Sequence, residues 1–218
     1  ESISDHNDQA RILYTRALTL HKQIGDREGQ TKVLLGLASL EYYLDRFEQA
    51  RILFKKAFDY AQQIGDYLDQ ALALRGLGQV ESLCGHFEEA RAYYNQALTI
   101  FRQIGSLQGE TKTWRSLGHL ERGAERYDLA NKAYEEALAI SRKISNVREE
   151  AKTLLGIGRL KVKNGNPQEA LSLLKNVRTR FHSIDDIWHE GIVCQKIGDI
   201  EKIIHHYQEA SLAYEQAL

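Results

Sequence analysis

This sequence predicts an all-α fold, a superhelical solenoid of antiparallel helix hairpins, and three observations carry the prediction. Alanine stands at residues 10, 50, 90, 130, 170 and 210, a constant spacing of 40 over six copies. Self-similarity at a period of roughly 20–50 residues marks a repeat array whose units bury their apolar faces on one another. Within a copy, apolar residues recur three or four apart, as in Val33, Leu34, Leu37, Leu40 and Leu44, and again in Ala50, Phe54, Ala57, Phe58 and Ala61. That is the period of an amphipathic helix, and no period-2 alternation of a strand accompanies it. Between the stripes, Asp26, Asp66, Ser106, Asn146 and Asp186 share one position, and Gly25, Gly65 and Gly105 come directly before it. Helices stop at such glycines and restart on such caps.

The register divides the chain, read as one array, into a partial repeat at 1–26, full repeats at 27–66, 67–106, 107–146 and 147–186, and an incomplete repeat at 187–218. Each full repeat holds two helices of about 16–18 residues, within the usual globular range. The first helix opens on the cap, with an acid in or near its first turn (Glu28, Asp69, Glu110, Glu149, Glu190) that suits the positive helix N-terminus. The hairpin turn falls near Gly85 and Gly165, and Pro167, the only proline, sits just after it, where a first helical turn tolerates it. Small residues on the first helix (Ala38, Gly78, Gly118, Gly158, Gly198) and alanines on the second let the two helices approach. Large residues (Tyr14, Phe54, Tyr94, Tyr134, Leu174, Tyr214) fill the space between units. The fifth copy departs most, with Leu174, Val177 and Arg178 for aromatic, alanine and leucine. Drift under relaxed packing, or a bend or secondary contact near 171–186, is expected there.

Both ends fall in mid-helix by this register: Glu1 aligns with Glu41, Glu81 and Glu121, and Leu218 with Leu18, Leu98 and Leu138. Methionine is absent. A fragment cut from a longer array is expected, with uncapped ends that could self-associate end to end.

Composition narrows the function. Lysine and arginine number 29 against 30 acids, a balance unlike that of general nucleic-acid or membrane-surface binders. Cys84 and Cys194 show no CxxC pattern and read as reduced thiols of a cytoplasmic protein. No apolar run approaches the roughly 18 residues of a membrane span, and no signal peptide opens the chain. Motifs for catalysis or phosphate binding (HExxH, P-loop, GxSxG, GxGxxG) are absent. His205–His206 is a poor metal pair, because adjacent helical residues diverge. No enzyme activity, metal or cofactor is expected.

Trp114, Leu117, Gly118, Tyr127, Ala130, Tyr134 and Ala137, and equally Leu74, Leu77, Gly78, Gly85, Phe87, Ala90, Tyr94 and Ala97, resemble the tetratricopeptide repeat over essentially the whole chain. The period of 40 exceeds the usual one of roughly 34. Glutamate (Glu41, Glu81, Glu121, Glu201) replaces the aromatic in the middle of the first helix. The Ile-Gly-Asp junction is similar to those of LGN/Pins, rapsyn and the arrays of NB-ARC-like signalling NTPases. LGN-like repeats carry asparagine where Ser39, Gln79, His119, Arg159 and Asp199 stand, so only the general class carries over. The resemblance implies a right-handed superhelix that binds a protein or peptide, often in its concave groove.

The first helices would line that groove. Tyr42 with Leu35 makes its N-terminal end apolar, a place for a hydrophobic anchor. Further along, Arg75, Gln79, Lys112, Arg115, His119, Arg122, Lys152 and Arg159 face inward by spacing, with no inward acid among the cations. A peptide with acidic side chains or a free C-terminal carboxylate fits such a wall. The alternative is a solvated face paired with Glu110 and Glu121 of the same helix. Scaffold or adaptor is the leading function. A regulatory arm of a signalling protein, holding a small molecule or signal peptide, is the alternative. Trp114 reads as core, and Trp188 as partly exposed at a helix start.

Overall fold

The computed structural model describes residues 3–217. Among them lie eleven helices and no strand: α1 (Ile3–Gln23), α2 (Arg27–Tyr43), α3 (Phe47–Ile64), α4 (Tyr67–Leu83), α5 (Phe87–Gln103), α6 (Leu107–Gly123), α7 (Tyr127–Lys143), α8 (Val147–Lys163), α9 (Pro167–His182), α10 (Ile187–Ile203) and α11 (Tyr207–Glu215). The chain forms two compact units, Glu1–Gly109 and Glu110–Leu218. In the first, α1, α2, α3, α4 and α5 pack in chain order, and α2 also touches α4. In the second, α7, α8, α9, α10 and α11 do the same.

The five expected caps all form. Asp26, Asp66 and Asn146 accept from the backbone N–H three residues on at 2.9, 3.0 and 3.0 Å, and Ser106 and Asp186 at 3.3 Å. Each satisfies a donor that the helix start would otherwise leave unpaired. Pro167 is the first residue of α9.

The connections repeat more strictly than the glycines do. A left-handed residue stands every 20 positions from 25 to 205, and half of these residues are not glycine: Asp45, Glu125, Ser145, Asp185 and His205 have φ between 52° and 66°. A Cβ in this region costs roughly 1–2 kcal/mol, partly offset by the freedom a glycine would add to the unfolded chain. Glu125→Gly is therefore expected to stabilise the protein by about 0.5–1 kcal/mol in urea unfolding, and Gly85→Ala (φ 82°, open space around its Cα) to destabilise it by a similar amount.

Aromatic rings from the second helices lie on glycines of the first. A Cβ on Gly78 would come within 2.7 Å of the Tyr94 ring, and one on Gly76 within 2.4 Å of Phe54. Tyr134, fully buried, lies between Gly118 and Gly156. The first unit's cores gather around Phe54, Leu77 and Val80, around Leu74, Ala97 and Phe101, and around Leu34 and Ala57. The second unit's main core runs from Leu154 through Phe181 to Ile197. The loosened fifth copy is not observed: Leu174, Val177 and Phe181 are fully buried, because a smaller side chain at 174 is matched by tight closure on Gly158. Arg178 instead hydrogen-bonds Gln216 at 2.8 Å.

The mid-helix glutamates are buried and ion-paired across helices. Glu41 is bonded by Arg11 at 2.8 Å, Glu81 by Arg51 at 2.6 and 3.1 Å, and Glu201 by Lys175 at 3.2 Å. His86 and His206 close on Glu81 and Glu201 at 2.8 and 3.0 Å. The partners lie 26–30 residues apart or across one turn, so each carboxylate ties consecutive helices. Cys84 and Cys194 are free thiols.

A basic helix face as the candidate binding site

The sequence-predicted residues fall into both units, and each group is described within its own unit. In the first, Tyr42 is half-buried, edge-on to Tyr43 and Phe47 with centroids 5.5 and 6.2 Å away. Tyr43 is 79 % exposed. Arg75 and Gln79 line a small recess of about 230 Å³ with Leu35, Ser39, Phe54 and Leu72.

In the second unit, α6 presents Lys112, Arg115, His119 and Arg122 on one side, at three- and four-residue steps. α8 presents Lys152 and Arg159. All six are partly buried. Leu155 of the same helix is a core residue, only 8 % exposed, because it packs into the main cluster of this unit. Trp114 is half-buried, and Trp188, the second residue of α10, is 71 % exposed.

The expectation of no acid near these cations is corrected. Arg115 Nη2 donates to Glu149 Oε2 at 3.2 Å, and that carboxylate is 5 % exposed. The acid lies one turn into α8, outside the set that spacing on α6 alone could reveal. Glu121 pairs with Arg126 across the turn at 3.8 Å. Arg122 and Arg159 have no ion-pair partner among the described residues, and their Nε groups, with that of Arg115, are buried without an acceptor. Buried donors of this kind are uncommon in folded proteins, and each costs free energy until an acceptor arrives.

His119 reports on this concentration of charge. Burial, then the neighbouring Arg115, Arg122 and Arg159, push it down to about 3. It is neutral at ordinary pH, and its Nδ1 lies 2.7 Å from the Tyr134 hydroxyl. With Nδ1 unprotonated, the Tyr134 hydroxyl donates to it. Arg159 is itself lowered, first by burial and then by Arg122. Burial also lowers Lys152, with Arg115 adding to it against the opposing pull of Glu149. The tyrosine was read from sequence only as packing, and nothing in its spacing reveals the role of its hydroxyl.

A pH dependence follows from His119. Its folded pKa lies below the unfolded value of about 6.5, so the unfolded chain binds the proton first. The stability is complete above pH ~6.5 and falls as pH drops toward 3, by about 1.4 kcal/mol per unit from this one group. Urea unfolding at pH 7, 6 and 5 is expected to show this slope, and His119→Asn to flatten it. A histidine that titrates near 6.5 by NMR would contradict the assignment.

Metal chemistry finds little support here. Donor atoms of Glu81, His86 and Glu89 lie within 4.8 Å of one another, but Glu81 is already held by Arg51 from two nitrogens. His205 and His206 turn to different partners, Tyr207 at 2.9 Å and Glu201 at 3.0 Å. No described helix is long and apolar enough to cross a membrane.

A family model described as tetratricopeptide repeat matches residues 29–103 and 110–181. No curated protein matches the sequence. Among solved structures, BtubC from P. vanneervenii is 15 % identical, with 100 % of this chain and 90 % of that one covered at a TM-score of 0.78. The Rap conjugation gene regulator of plasmid pLS20, in complex with the Phr* peptide, is 14 % identical over 90 % of this chain and 54 % of its own, TM-score 0.78. A signal transduction ATPase with numerous domains from Pyrococcus horikoshii, with a tetratricopeptide repeat sensor, is 21 % identical over 94 % of this chain and 30 % of its own, TM-score 0.75. At these identities the likeness is one of fold.

Proposed function

The chain belongs to the tetratricopeptide repeat family, and from that premise we propose that it is a non-catalytic scaffold that binds a protein or peptide segment bearing acidic side chains. In the second unit the receiving surface is the face of α6 and α8, with Arg115, Arg122 and Arg159 as carboxylate partners, Lys112 and Lys152 as longer-range attraction, and His119 as a neutral donor. In the first unit Arg75 and Gln79, beside Tyr42, give a smaller polar contact of the same kind. One observation carries the proposal: three arginines crowd a half-buried face around the buried His119, and their Nε donors meet no acceptor. An anion relieves both costs. Arginine forks suit carboxylates in two-point geometry, and the low-dielectric setting strengthens each bond. The fold neighbour captured with its Phr* peptide supports a peptide ligand of this general kind.

Isothermal titration of the chain with glutamate-rich and alanine-rich peptides tests it. Binding of the acidic peptide alone is expected, weakening as salt rises, and lost by tenfold or more in Arg122→Glu and Arg159→Glu. Absence of binding at low salt, or affinity unchanged by both substitutions, would remove the proposal.

A further inference from the structure

The fifth copy lacks the aromatic ring of its neighbours, and Leu174, though fully buried and closed on Gly158, also borders a cavity. In three other copies the ring of the second helix abuts a glycine two residues before the small packing residue of the following first helix: Tyr14 on Gly36, Phe54 on Gly76 and Tyr134 on Gly156, while the copy with Tyr94 has Ser116 at that position. In the fifth copy Leu174 replaces the ring, and Lys196 stands where that glycine would be. Both line a cavity of about 450 Å³, inside the range of roughly 300–1,000 Å³ typical of ligand sites.

The cavity has two chemical halves. Its apolar side is Val162, Leu174, Ile200 and Ile203. Ile203 is 54 % exposed at its edge. Its polar side is Arg122 and Arg159, the same two arginines whose Nε groups lack an acceptor. The one acid on the rim, Asp199, is already engaged: Lys196 Nζ donates to it at 2.6 Å and the Tyr214 hydroxyl at 3.0 Å. The rim therefore has positive charge to offer, beside an apolar recess.

We propose that this cavity seats one large apolar side chain of the bound peptide, carried next to a carboxylate that Arg122 and Arg159 hold. The inference rests on the acidic-peptide proposal and adds to it a fixed anchor and register. Charge complementarity selects the acid, and burial against four aliphatic residues selects the apolar neighbour. The hydrophobic anchor thus belongs with Leu174 and Ile200, and not with Leu35 and Tyr42, where sequence alone had placed it.

Two peptides of equal charge, one with a Phe-Glu pair and one with Ala-Glu in its place, separate the possibilities by fluorescence anisotropy. The Phe peptide is expected to bind at least tenfold more tightly and to shift the methyl resonances of Val162, Ile200 and Ile203. Leu174→Phe, which fills the cavity from within, is expected to bring the affinity ratio of the two peptides near one. Because a ring beside Lys196 could disturb folding, Ile203→Trp at the exposed edge provides a second block with the same expected ratio. Equal affinity of wild-type protein for both peptides would overturn the anchor and leave the acidic-peptide proposal standing. Binding of neither peptide would overturn both. Saturation by free 3-phenylpropionate, with no preference between the peptides, would overturn the anchor in favour of a small carboxylate.

Discussion

Arg51→Ala will destabilise the protein by about 3 kcal/mol or more, among the largest losses of any single substitution at a charged position. Removing one partner of a buried ion pair leaves an uncompensated charge, typically at a cost of about 3–5 kcal/mol. Glu81 is 3 % exposed and takes Arg51 Nε and Nη2 on its two oxygens, with His86 on one of them. Burial pushes the Glu81 carboxyl up, but the bonds from Arg51 and His86 outweigh it and hold it below the ordinary carboxylate value. The Arg51 guanidinium is raised in turn, chiefly by the same hydrogen bond. The sign is then clear. In the wild-type protein the group contributes stability above the unfolded pKa of about 4.3, and that stability is lost as pH falls through the folded value. In Arg51→Ala, burial dominates and the carboxyl moves up, so the deficit is largest near neutrality and shrinks as Glu81 is protonated. Arg51→Met with Glu81→Leu is expected to recover most of the loss, since apolar residues of similar volume replace buried pairs at little cost. Urea unfolding of Arg51→Ala, and of wild type, Arg51→Met, Glu81→Leu and their double variant as a double-mutant cycle, measures this. A loss below 1 kcal/mol for Arg51→Ala would show that water reaches the carboxylate.

The glutamate positions show what was legible in the chain and what was not. Their recurrence in mid-helix was visible, as a departure from the family pattern. Their partners were not, because the bond joins residues about 30 apart, on helices whose relative rotation no local periodicity encodes. The clue lies in the copy that breaks the pattern. Where Lys161 replaces the glutamate, Asn131 replaces the arginine 30 residues earlier and Asn166 replaces the basic residue five later, and Lys161 pairs with Glu169 at 2.6 Å instead. Where Leu171 takes the arginine's place, Lys175, one turn on, reaches Glu201. Caps and packing glycines were legible because each acts within one turn or one close approach. The left-handed Asp45 and Glu125 were not, because only glycine advertises that conformation. The cations of α6 were found by spacing. Glu149 beside Arg115 was missed, since charge on a facing helix enters only through packing.

Tyr134→Ala will cost about 3–5 kcal/mol, the loss expected for emptying an aromatic site in a core that cannot collapse. The ring is fully buried between two helix backbones, and a Cβ on Gly118 or Gly156 would fall 2.5 or 2.7 Å from its atoms. These two glycines have no side chain with which to fill the space. Tyr134→Phe separates the hydroxyl from the ring: it leaves His119 Nδ1 without its partner, at a cost of about 1–3 kcal/mol. The sharper test is a reversal of sign. In the wild-type protein Gly118→Ala overpacks the site and is expected to destabilise by about 1–3 kcal/mol. In the Tyr134→Ala background the clash is gone, and the same methyl lies in a helix interior, where alanine is favoured over glycine by about 1 kcal/mol. Gly118→Ala should then stabilise. If it destabilises equally in both backgrounds, glycine at 118 answers to something other than the ring, and the pairing of glycine with aromatic is not what sets the spacing of α6 and α7.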